Sequence, residues 1–153
     1  MSTKEKVQIW LKHSMDDPIA KILIKNSNLT RTQLETLLID ILSENVAEKE
    51  LNYDEKGQFR LTKAPVSRGA FNRTLRQAKQ NVTHSIYTIL LLGYLGIFEN
   101  TTLTPYIEVA NKLQTYINTY RELLENAEEP TKLQVFNTLR QELEAAINEV
   151  ANP

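Results

Sequence analysis

The chain has no cysteine among its 153 residues and only 4 glycines and 5 prolines. The first absence excludes disulfides, thiolate zinc sites and thiol catalysis. The scarcity of glycine and proline removes the turn punctuation that a strand-rich architecture needs. Histidine is nearly as rare, with His13 and His84 alone. No His-x-x-x-His, Gly-x-Ser-x-Gly, Walker-type or Gly-x-Gly-x-x-Gly pattern occurs. So thin an inventory points to no enzyme, no cofactor and no metal. Asp16-Asp17 ahead of Pro18 reads as a helix start, and Glu128-Glu129 as a solvated turn.

Long hydrophobic runs are missing as well. The longest, Ile86 to Phe98, falls short of the ~20 residues that a membrane span needs, and Gly93 and Gly96 interrupt it. A buried helix is expected there, with no membrane partner. No apolar run follows the N-terminal Met1-Ser2-Thr3-Lys4-Glu5-Lys6, so a cytoplasmic location is expected.

One region lacks carboxylates. Residues 57–98 hold Arg60, Lys63, Arg68, Arg73, Arg76 and Lys79 and no acid, a local net of +6 within a chain whose net charge is −1. Residues 1–56 sum to −2 and residues 99–153 to −5. Such segregation costs stability through self-repulsion unless an opposite charge offsets it. Either the acidic C-terminal segment neutralises the strip, or an external polyanion does.

What is present favours an all-α helical bundle: 41% of the residues are hydrophobic, and apolar positions recur at helical spacing along most of the chain. Residues 3–25 read as one or two helices, with Pro18 marking the break. Thr30 and Gln33 form a capping box, with Leu29 and Leu34 as a hydrophobic staple. Leu34, Leu37, Leu38, Ile41, Leu42 and Val46 then give a helix from Arg31 to about Val46. Leu51-Asn52-Tyr53 and Phe59-Arg60-Leu61 flank Asp54-Glu55-Lys56-Gly57 as the arms of a short β-hairpin near 51–61, or of an ordered loop. Ser67 caps the next helix, with Val66 and Phe71 as its staple. That helix runs to about Gly93 or Tyr94 and ends near Gly96. Residues 104–151 form an antiparallel helical hairpin: Thr104 and Pro105 start the first arm, Glu128-Glu129-Pro130 makes the turn, and Thr131 with Gln134 caps the second. The expected division is a domain over 1–98 and the C-terminal hairpin over 99–153.

On a helical wheel with Phe71 at 0°, Leu75, Ala78, Val82 and Ile89 lie within about 40° of it. Asn72, Arg73, Arg76, Lys79 and Gln80 fall at roughly 80–200°. These residue types suit nucleic acid: arginine can bind guanine and asparagine adenine in a bidentate fashion, while Lys and Ser suit phosphates. The helix N-terminus at Ser67, Arg68 and Gly69 adds backbone N–H groups and a partial positive charge. The candidate DNA-binding residues are Arg60, Lys63, Ser67, Arg68, Asn72, Arg73, Arg76, Lys79 and Gln80.

Val66-Ser67-Arg68-Gly69-Ala70-Phe71-Asn72-Arg73-Thr74-Leu75-Arg76-Gln77-Ala78 resembles the recognition helix of helix-turn-helix regulators. Leu29-Thr30-x-x-Gln33-Leu34-Glu35 is similar to the first helix of sigma-region-4-like and archaeal helix-turn-helix domains. The resemblance implies double-stranded DNA binding in transcription control, with Ser67, Arg68, Asn72, Arg73 and Arg76 as contacts. Residues 50–65 stand where the family has a short helix and a tight turn. A homodimer through the C-terminal helices would double the basic surface. Two other readings stay open: a helical adaptor with no nucleic-acid role, and a non-specific single-strand binder.

Overall fold

Five polar side chains decide where the helices of the first ninety residues begin. Ser2 and Glu5 close a capping box at the head of α1, Thr3–Met15. Asp17 accepts from the Ala20 N–H at 2.8 Å and starts α2, Pro18–Lys25, with Pro18 in its first turn. Thr30 and Gln33 close the expected box on α3, Arg31–Ala47. Asn52 and Glu55 do the same for α4, Tyr53–Gln58. Ser67 Oγ accepts from the Ala70 N–H at 3.2 Å at the start of α5, Arg68–Tyr94. Two further helices follow, α6 over Thr104–Asn126 and α7 over Glu129–Ala151. This computed structural model describes residues 1–97, 104–126 and 128–151, is 78% helical, and has no strand among the described residues.

Two expectations are corrected. The hairpin near 51–61 is the short helix α4 instead. Asn52-x-x-Glu55 satisfies two orphan N–H groups reciprocally, so local capping favours a helical turn over paired strands. The Asn52 N–H holds the Glu55 carboxyl below its ordinary value of 4.5, with the Lys49 ammonium assisting. The second capping box, at Thr131 and Gln134, is not where α7 starts. The helix begins at Glu129, and the Lys132 N–H already donates to Glu128 O at 3.0 Å. Pro130 in the first turn sets up the helix, since its missing N–H would have no partner there.

The chain divides into two compact units, Met1–Tyr87 and Thr88–Pro153, with the division inside α5. In the first, Val7, Leu11 and Met15 of α1, Leu37 and Ile39 of α3, and Phe71, Leu75 and Ala78 of α5 form the core with Leu51 and Phe59. The staple pairs Leu29/Leu34 and Val66/Phe71 pack on it or in it. In the second unit α6 packs on α7, burying Leu113 and Leu143. Helices joined by so short a link can touch along their length only by running antiparallel.

The register of α3 differs from the apolar pattern. Its buried stripe is Glu35, Thr36, Ile39 and Ser43, with Leu37 beside it, whereas Ile41 is 62% exposed. Apolar residues sit on both faces of this helix, so periodicity alone misplaces its inner face. The polar stripe is buried because the residues after α4 bring a partner to it. The Ile86–Ile97 part of the longest apolar run also departs from expectation, and Phe98 lies outside the described residues. Far from buried, Tyr87, Leu91, Tyr94 and Leu95 are more than half exposed. No helix among the described residues is long and apolar enough to cross a membrane.

Gly57 sets the path from α4 to α5. The Val66 N–H donates to Gly57 O at 3.2 Å, and a Cβ on Gly57 would lie 2.5 Å from Val66 O. No side chain fits without shifting backbone. Gly57→Ala should therefore lower stability by about 1–3 kcal/mol. Urea unfolding should show a lower midpoint at unchanged m-value; an unchanged midpoint refutes the close approach.

Candidate nucleic-acid interface

The basic helix is held by one apolar stripe and one polar clasp. Phe71 and Ala78 are fully buried and Leu75 nearly so. Further along, Asn81 Nδ2 donates to Asn28 O at 3.0 Å and to Gln33 Oε1 at 3.1 Å. Gln33 is the same residue that closes the α3 capping box, so Asn81 ties α5 to the start of α3. Asn28 Nδ2 adds a bond to Ser85 Oγ. Beyond Ala78 the stripe loses its cover: Val82 is 38% and Ile86 43% exposed. The first four turns of α5, through the Asn81 clasp, are thus the anchored part, and they carry the cations.

Burial removes one predicted contact, Arg60, from the surface. It is 6% exposed, and its Nε donates to Glu35 Oε1 at 2.9 Å and its Nη1 to Thr36 Oγ1 at 3.2 Å. The Leu61 N–H donates to the same carboxylate oxygen. Both charges are desolvated, and each is satisfied by the other and by neighbouring polar groups. Such a pair survives burial only with that completeness. Arg60 is a structural clamp between the 59–67 link and α3, and Gln8 Nε2 braces the link from α1 through Phe59 O and Arg60 O.

Lys79 is partly committed. Its Nζ lies 3.1 Å from Asp40 Oδ2 while half its side chain stays exposed. Asp40 is 11% exposed and also receives Lys56 Nζ at 3.2 Å. Lys63, Ser67, Arg68, Arg73, Arg76 and Gln80 are exposed, and Asn72 is half-buried. Within the first unit no carboxylate lies within 4.0 Å of Lys63, Arg68, Arg73 or Arg76; those acids that do pair there take other cations. A Cβ on Gly69 would meet open space, so no contact within the fold requires glycine in the first turn.

Between α4 and α5 runs an open groove of about 460 Å³. Asn72, Arg76, Lys79 and Gln80 form one wall and Tyr53 of α4 belongs to the other, with Thr83 and His84 one turn further along. Tyr53 is not recognisable from the sequence as part of the site, because the apolar residues around it suggest a hairpin arm. The Asn52-x-x-Glu55 box is a signal for the helix that carries it, but not for that helix's place beside α5. The α4–α5 link spans residues 59–67, longer than the 3–4-residue turn of a helix-turn-helix motif. Among the described residues no group of His, Asp or Glu is placed to hold a metal ion.

No family model, curated protein or solved structure matches this chain.

Truncating Arg60 strands the Glu35 carboxylate in the interior. Arg60→Ala should cost about 3–5 kcal/mol, and the double variant Glu35→Gln/Arg60→Met should recover part of it. Thermal and urea unfolding of both proteins checks this. A loss under about 1 kcal/mol for the single variant would contradict a clamping role.

Proposed function

We propose that the protein binds nucleic acid, with double-stranded DNA as its partner, through the exposed basic face of α5. One observation carries the reading: Arg68, Arg73 and Arg76 lie on an anchored helix, exposed, with no carboxylate of their own unit within reach. A row of uncompensated guanidinium groups raises the local potential and destabilises the fold alone. A phosphate backbone offsets both effects by releasing its counterions. Asn72 and Gln80 add amide groups that can reach base edges or sugar–phosphate oxygens.

The adaptor reading needs the same basic strip to dock an acidic protein or the chain's own acidic hairpin, and within the first unit the acids that approach α5 reach only Lys79. The wider setting proposed for such a duplex binder is that of a transcriptional regulator or a chromatin-associated factor. The α6–α7 hairpin is proposed as the contact of a homodimer, to which the exposed Ile107 and Leu133 offer apolar surface. Sedimentation at twice the 17.6 kDa chain mass would support that pairing.

The double charge reversal Arg73→Glu/Arg76→Glu tests the main claim. Wild type should bind duplex DNA with an affinity that falls steeply with salt. The variant should bind far more weakly, and its log–log salt slope should shrink by about 2, near 0.9 for each phosphate that is no longer neutralised. Both side chains are exposed, so its melting temperature should stay close to that of wild type. Equal binding by both proteins across a salt titration, read by fluorescence anisotropy, rules the interface out.

A further inference from the structure

The groove beside the basic helix contains more than a phosphate site requires. Tyr53 is 37% exposed on one wall, although its ring also packs on the buried Phe71, with centroids 6.4 Å apart and planes tilted by 46°. Lys56 Nζ lies 5.4 Å from the ring centroid. Lys56 is itself almost buried and held by Asp40 and Glu44, so the cation beside the ring is fixed in place. Across from it, Asn72 is half-buried, yet its side-chain amide makes no hydrogen bond among the described residues. Gln80, two turns on, is likewise without a protein partner among them, and Arg76 lies between the two. An aromatic ring packed on the core, two unengaged amides and a guanidinium thus line one open groove.

A paired base in a duplex offers only its groove edges, because both of its faces are stacked on neighbours. A phosphate offers no surface to an aromatic ring. An unpaired base offers a π-face to the tyrosine, and hydrogen-bonding edges to Asn72 and Gln80 that are otherwise used in pairing. We infer that this groove accommodates an unpaired nucleobase, packed against Tyr53 and hydrogen-bonded by Asn72, while Arg68, Arg73 and Arg76 hold the adjoining backbone. The inference rests on the nucleic-acid reading above and names its ligand more narrowly: DNA in which at least one base is free of its partner.

The full chain is tested with three oligonucleotides of matched length and salt: a complete duplex, the same duplex with a single-base bulge, and the single strand. 2-Aminopurine at the bulge reports stacking by quenching. Wild type should bind the bulged duplex about tenfold more tightly than the complete one, within the range that base–aromatic stacking supports. The reporter should be quenched on binding. Tyr53→Leu keeps the apolar contact with Phe71 and removes the aromatic face. It should bind both duplexes alike, at the wild-type affinity for the complete duplex, and should leave the reporter bright. Tyr53→Phe should retain preference and quenching, which separates stacking from a bond made by the hydroxyl. Asn72→Ala should weaken the preference without abolishing the quench. Equal wild-type affinity for the two duplexes, or an unchanged preference in a Tyr53→Leu protein of native melting temperature, overturns the base slot and leaves duplex binding standing. If wild type binds none of the three at low salt, the nucleic-acid reading itself falls, and this inference with it.

Discussion

The pairing of Arg60 with Glu35 is the constraint on which the arrangement of the first unit depends. Nine residues connect α4 to α5, and without an anchor they would leave the basic helix free to choose its own angle. The ion pair pins that link to the second turn of α3, and the Leu61 N–H shares the same carboxylate. Two closures work with it, the Gln8 amide from α1 and the Gly57–Val66 approach. Once Val66 is placed, Ser67 caps α5, and Phe71 enters the core at the position where a staple residue belongs. The direction in which Arg73 and Arg76 project follows from a charge that never reaches the surface.

The fold was legible at several helix starts where a single local signal stood unopposed. Thr30-x-x-Gln33, Pro18 after Asp17, and Ser67 ahead of Phe71 are start signals satisfied within three or four residues, and each stands where the sequence places it. What could not be read depends on distant partners. Nothing near Glu35, Thr36 and Ser43 indicates that this polar stripe faces inward, because its partner Arg60 is 25 residues away. Ser43 Oγ has no hydrogen-bond partner among the described residues, and the structure offers no account of it. Residues 51–61 show a different failure. Two short apolar runs around Asp-Glu-Lys-Gly suggest strands, yet a capping asparagine three residues before a glutamate outweighs them.

The candidate site divides in the same way. Arg68, Arg73 and Arg76 were identifiable because exposure of a charged face follows from burial of the opposite one. Arg60 belongs to the same stretch of positive charge but serves the interior. Charge composition cannot separate the two roles; the side chain's place in the fold does. Tyr53 is the converse case, a residue with no charge and no motif that reaches the site only because α4 and α5 border one groove.

Asp40 holds two ammonium groups at once, Lys56 from within and Lys79 from the rim. If Lys79 swings outward towards a phosphate, Lys56 remains in place and the carboxylate keeps a counter-charge. The departure therefore leaves no bare anion in the interior, the situation that makes breaking most shielded ion pairs so costly. On the nucleic-acid reading proposed above, Lys79 would be a parked cation: neutralised at rest by Asp40 and releasable without disturbing the packing beneath it.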